Sequence, residues 1–139
     1  MQTFLPYADF IKSASCLDTK RLGKQRVETL QLLKALNGDS KGWAKHPASI
    51  MWRGYEKALI LYGVAICNEW KFRGYKDTCS EKILSYCREG FSFELPFWFG
   101  KENFHASHRS NLLRKDFKYY SAFGWTEPLD LPYIWPRKD

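Results

Sequence analysis

The stretch from Pro47 to Arg73 constrains this chain more than any other. Ile50/Met51, Tyr55, Ala58/Leu59, Tyr62, Ala65/Ile66 and Trp70, with Glu69 beside it, recur at every third or fourth position over seven turns. That is the period of one helix face, not the two-residue alternation of a strand. Pro47 suits the first helical position, where no backbone donor is needed, and Gly74 follows the last periodic residue. The pattern predicts one long helix over 47–73, the spine of a helical domain.

Signals on both sides extend this reading. Residues 17–36, LDTKRLGKQRVETLQLLKAL, carry most of an apolar stripe on Leu22, Leu30, Leu33 and Leu36. Asp18 or Thr19 is placed to cap the start of that helix, and Asn37-Gly38 ends it. Gly23 interrupts the stripe at about 1 kcal/mol relative to Ala, which points to close packing or to the approach of a ligand. Thr78-Cys79-Ser80-Glu81 has capping-box form and predicts a short helix with Ile83, Leu84 and Cys87 inside and Gly90 at its end. In 91–100, FSFELPFWFG, Pro96 disfavours a strand, so an extended aromatic loop is expected. A fourth helix runs from about Asn103 through His105, His108, Leu112 and Leu113 to Lys115, and a turn over 117–123 leads to Gly124. The tail WTEPLDLPYIWPRKD holds three prolines and reads as extended, with its aromatics packed back on the helices. No repeat, low-complexity stretch or linker interrupts the chain. The expected fold is a compact, single-domain, all-α bundle of about four helices over 1–139, closed by an extended aromatic, proline-rich tail.

Composition narrows the function classes. The 139 residues are one domain's worth, and the unusual values are 17% aromatic residues and a formal charge of +7. No apolar run approaches the roughly 18 residues a membrane span requires. MQTFLPYADFIKSAS lacks a basic region followed by an apolar stretch, so a secretory leader is not expected and a cytoplasmic location is. Cys16, Cys67, Cys79 and Cys87 form no CxxC pair. The cations are spread along the chain except where Lys20, Arg21, Lys24 and Arg26 fall within seven residues. A basic chain rich in aromatic rings suits nucleic acid, with cations on phosphates and rings on bases. A basic but inert surface is the alternative.

Two constellations could carry chemistry. On the first predicted helix Arg21, Lys24/Gln25 and Glu28 share a face away from the leucines, with Arg26 beside it. One carboxylate among cations is either a solvated face of i,i+4 ion pairs or a general acid/base held among phosphate-binding groups. On the fourth, His105 and His108 are followed by Arg109, Asn111 and Arg114. Two histidines do not make a metal site, which needs three or four ligands, so neither metal nor other cofactor is expected. His46 before Pro47 reads as a helix-start residue. Trp43, Trp52, Trp98, Trp125 and Trp135 are either stacking platforms or core, and a small bundle needs most of them for its core. No Ser-His-Asp order, glycine-rich phosphate loop or zinc-deaminase signature is present.

The pattern Leu17-Asp18-x-Lys20-Arg21-Leu22-x-x-x-Arg26-Val27-Glu28-x-Leu30 resembles the pyrimidine-dimer DNA glycosylase family. Glu69-Trp70-Lys71-Phe72-Arg73-Gly74-Tyr75 is similar to the end of that family's central helix, and His108-Arg109-Ser110-Asn111-Leu112-Leu113-Arg114-Lys115-Asp116-x-x-Tyr119 is similar to a later segment. The resemblance implies a compact all-α fold and a glycosylase with a β-elimination lyase step. It implies a catalytic glutamate at Glu28 and, as nucleophile, the α-amine of the mature N-terminal residue, usually a threonine exposed by loss of Met. An α-amine with a pKa of about 7.7–8.0 is partly neutral at pH 7 and forms Schiff bases with sugar C1′. Here residue 2 is Gln, before which Met is normally retained. The nucleophile is therefore the Met1 amine, or Gln2 after processing, or absent. Arg21, Lys24, Arg26, His105, His108, Arg109 and Arg114 are the expected phosphate or base contacts. The partner expected is damaged or modified duplex DNA. The alternative is a non-catalytic module binding nucleic acid or a nucleotide in the same pocket.

Overall fold

In chain order the helices are α1 (Phe10–Cys16), α2 (Thr19–Leu36), α3 (Pro47–Trp52), α4 (Glu56–Phe72), α5 (Cys79–Leu84), α6 (Glu102–Lys115) and α7 (Phe117–Tyr120), followed by a 3₁₀ turn at Ser121–Phe123. They belong to a computed structural model that describes residues 1–88, 90 and 93–138, and among these residues there is no strand. The all-α expectation holds, with seven helices in place of about four. Four of the seven have seven residues or fewer, too short to show a hydrophobic period in sequence.

α2 begins where Asp18 accepts a hydrogen bond from the Arg21 N–H and ends at Asn37, as its caps predict. It packs along α4, while α1 and α5 lie against α4 as well. The single helix expected over 47–73 is broken. Arg53 caps α3, Gly54 takes φ +90°, and the Tyr55 N–H bonds the Trp52 carbonyl at 2.8 Å, so the chain turns before α4 starts. The apolar rhythm runs across this turn because Met51, Trp52 and Tyr55 all reach the core. His46 caps α3 through Nδ1, 3.0 Å from the Ala48 N–H. α1, absent from the sequence reading, starts at Asp9, whose carboxylate accepts from the Lys12 N–H at 2.8 Å.

α5 departs from its prediction in two ways. Thr78 makes no side-chain cap; Asp77 does, accepting from Cys79 N at 3.1 Å and Ser80 N at 2.9 Å. The helix ends at Leu84, short of Gly90, and only Ile83 of the three expected inner residues is buried, Leu84 and Cys87 being exposed. Of the aromatic stretch 91–100, Phe91 and Ser92 lie outside the described residues; Trp98 is buried, and its indole N–H donates to the Met51 carbonyl at 3.1 Å. Trp52 meets it edge to face at 4.9 Å, so these two rings are core, not stacking platforms. From Trp125 to Lys138 the described tail forms no helix or strand, and Trp125, Tyr133, Ile134 and Trp135 pack against the core. α6 holds it: Ser110 Oγ accepts from Leu131 N at 3.1 Å, Asn111 donates to Leu131 O at 2.9 Å, and Arg114 donates to Leu129 O at 2.6 Å. Among the described residues no helix is long and apolar enough to cross a membrane.

The buried cord formed by the N-terminal residues positions the site. Gln2, Thr3, Phe4 and Leu5 are all buried, although residues 1–5 belong to no helix or strand. Buried main chain without a ladder needs side-chain partners. Here α2 and α4 supply them on one side and α6 on the other. The Phe4 N–H donates to Gln25 Oε1 at 3.1 Å, and the Tyr62 hydroxyl donates to that same oxygen at 2.6 Å. Leu5 N–H donates to His108 Nδ1 at 2.9 Å, and the Leu5 carbonyl meets His105 Nδ1 at 2.8 Å.

Candidate active site

The cord leads the chain start into a cleft of about 320 Å³ lined by Met1, Gln2, Phe4, Lys20, Arg21, Lys24, Gln25, Glu28, Lys115 and Tyr133. This is at the low end of the usual range for small-molecule sites, about 300–1,000 Å³. The α2 face explains the composition of its lining. Positions 21, 24/25 and 28 stack one above another, and the N-terminal cord crosses them.

Glu28 is the central group. It is 8% exposed, so the solvated-face reading of this carboxylate is excluded. Its Oε2 accepts from the Gln2 N–H at 2.9 Å and lies 3.5 Å from Gln25 Nε2, while Lys24 Nζ approaches Oε1 at 3.7 Å. Gln25 is fully committed: Nε2 donates to the Gln2 carbonyl at 2.7 Å and Oε1 accepts from Phe4 and Tyr62. Four basic side chains, Lys20, Arg21, Lys24 and Lys115, and residue Met1 share the lining with this one carboxylate. The cleft is built to attract an anion and keep one negative charge in place.

The structure brings Met1, Gln2, Arg21, Lys24 and Glu28 together and places the other expected contacts elsewhere. Arg26 points to α5, pairing with Asp77 at 2.7 Å and lying 4.4 Å over the Trp70 ring. Burial pushes the Asp77 carboxyl up, but bonds from Arg26 and from the Ser80 and Cys79 N–H groups outweigh it and hold it at about 2. His105 and His108 are buried against Leu5. His105 Nε2 accepts from Gly100 N at 2.9 Å, which leaves its proton on Nδ1 for the Leu5 carbonyl. Burial, with His105 adding, takes the His108 imidazole down to about 3. Arg109 donates to the Pro6 carbonyl at 2.7 Å and pairs with Glu102 and Glu127. These three hold the cord, and Arg114 holds the tail. Among the described residues no group of three His, Cys, Asp or Glu could hold a metal ion.

Sequence reasoning left out Lys20, Lys115, Tyr62 and Tyr133. Lys20 lay in the basic cluster and could have been added. Lys115 and Tyr133 reach the cleft only through the packing of α6 and the tail, and no local signal marks them.

A family model described as pyrimidine dimer DNA glycosylase matches residues 1–83. The chain belongs to that family. No curated protein and no solved structure matches it. The matched stretch holds the cord, α2 and α4, hence every residue lining the cleft except Lys115 and Tyr133. The likeness read over 108–119 lies outside the match.

Proposed function

We propose that the cleft is the active site of a DNA glycosylase acting on damaged or modified pyrimidines, with Glu28 as acid/base and the Met1 α-amine as nucleophile. The observation that carries the reading is the 2.9 Å contact between a buried glutamate and the main-chain nitrogen of residue 2, inside a cationic cleft. In the full chain that nitrogen is an amide and orients the carboxylate; the free amine is one residue further out, on Met1, a residue that lines the same cleft. Loss of Met1 would turn the residue-2 nitrogen into an amine already bonded to Glu28.

The chemistry follows from these groups. The neutral amine attacks C1′, the glycosidic bond breaks and the base leaves with the bonding pair. The nitrogen loses a proton, and its lone pair then forms the C1′=N bond as the C1′–O4′ bond breaks and O4′ takes up a proton, which opens the sugar ring to a protonated Schiff base. Glu28 takes the C2′ proton, and the C3′–O bond breaks with departure of the 3′ phosphate. Lys20, Arg21, Lys24 and Lys115 hold phosphates around a nucleotide turned out of the stack.

Intact mass first identifies the terminal amine. Borohydride trapping on abasic duplex then tests the step: a covalent adduct is expected, lost when the terminus is blocked and retained by Glu28→Gln. No adduct would remove the lyase step. The amide character of the Gln2 nitrogen favours a second reading, a non-catalytic nucleotide-binding module. That reading replaces the first if nucleotide binds but ultraviolet-irradiated, abasic and base-modified DNA are all left unchanged.

A further inference from the structure

We infer that the Gln2 carboxamide is the base-reading group of the cleft, its Nε2 donating to a carbonyl oxygen of the bound nucleotide's base. Gln2 lines the cleft and is 6% exposed. Three of its four polar atoms are committed: the N–H to Glu28 at 2.9 Å, the carbonyl to Gln25 at 2.7 Å, and Oε1 to the Thr3 N–H at 2.9 Å. The last bond fixes which way the carboxamide faces, because the opposite assignment would set an NH₂ against an N–H. The fourth atom, Nε2, is buried with no partner. A buried donor left unpaired in the free protein is costly, and an acceptor arriving with a ligand removes that cost.

The rest of the lining says what kind of ligand brings the acceptor. Lys20, Arg21, Lys24 and Lys115 are donors, and Glu28, the one carboxylate, already accepts from Gln2 N–H and faces Lys24. The cleft therefore offers donors and asks for acceptors. Its charged side chains suit a phosphate, whereas a neutral carboxamide donor suits a neutral carbonyl, which pyrimidine rings carry beside the sugar bond. A pyrimidine nucleotide carries both. This assignment rests on the proposed reading of the cleft as a nucleotide site.

The test compares thymidine 5′-monophosphate with deoxyribose 5-phosphate, two probes with the same phosphate, by calorimetry on the full chain. Wild type should prefer the thymidine probe by about three- to tenfold or more, the worth of one neutral hydrogen bond. Gln2→Glu keeps the acceptor for Thr3 and removes the donor; Gln2→Met removes both without adding charge. Each should abolish the preference, and the ratio cancels any uniform effect of charge on phosphate binding. Equal binding of the two probes by wild type, or a preference surviving in both variants, overturns the role of Gln2 while leaving the cleft as a phosphate site. No binding of either probe overturns the nucleotide reading itself.

Discussion

His108 shows how a single side chain is tied to the chain start. Its Nδ1 accepts from the Leu5 N–H, which requires the neutral ring, and burial takes it to about 3 from an ordinary 6.5. The folded state thus binds fewer protons than the unfolded state between those values. Stability is full above pH 6.5 and falls as the pH drops toward 3. His105 and His46, also lowered by burial, act in the same direction. Asp77 adds its share only below its ordinary 3.8. Denaturant titrations from pH 7 to 4.5 should show a loss of about 2–3 kcal/mol. His108→Gln keeps an acceptor for Leu5 but does not titrate, so it should be less stable at pH 7 and lose less over that range, keeping only the slope that His105 and His46 contribute. An unchanged slope would place the titration elsewhere. In sequence the histidine pair could be seen but its role could not: it serves a backbone amide 103 residues away, and nothing local encodes such a partner.

At the scale of elements, Gly23 decides how closely α2 approaches α4. A Cβ there would lie 2.9 Å from the Trp70 ring. That ring has little freedom, being stacked on Tyr75 at 4.3 Å and covered by the Arg26 guanidinium. Gly23→Ala gains about 1 kcal/mol of helix propensity, yet overpacking costs about 1–3 kcal/mol, so net destabilisation is expected in a chemical denaturation series. A stabilised Gly23→Ala would mean that Trp70 moves freely. Of the two readings the sequence left open for Gly23, packing is the one realised. α2 and α6 were legible because their periodic faces are long and, for α2, because Asp18 and Asn37 punctuate it. The break at Gly54 was not, since Tyr55 resumes the apolar rhythm at once and hides a turn of three residues. α1 had a cap signal in Asp9, but seven residues with Ile11 exposed carry no readable face.

Across the whole molecule the formal charge of +7 is divided by what each cation touches. Lys24 is largely exposed at the cleft, whereas Arg26 is paired with Asp77 and packed on Trp70. Lys24→Gln should weaken duplex binding across sequences and reduce the salt slope by about one phosphate contact. Arg26→Gln should leave that slope unchanged and lower stability by about 1–3 kcal/mol, because Asp77 loses its charged donor and keeps only the Cys79 and Ser80 N–H groups. The reverse result would move the DNA-binding face to the α5 side. The cleft itself was half legible: the α2 face carries Arg21, Lys24 and Glu28 in order, but the crossing cord that buries Glu28 is a long-range arrangement. The most direct test of the account is Glu28→Gln, measured for DNA affinity and for single-turnover base release from ultraviolet-irradiated duplex. The variant keeps the acceptor for Gln2 N–H and removes the negative charge from a cationic cleft. Affinity should stay equal or rise, while turnover falls roughly 10²-fold or more. A Glu28→Gln protein that binds and turns over like the wild type would contradict it.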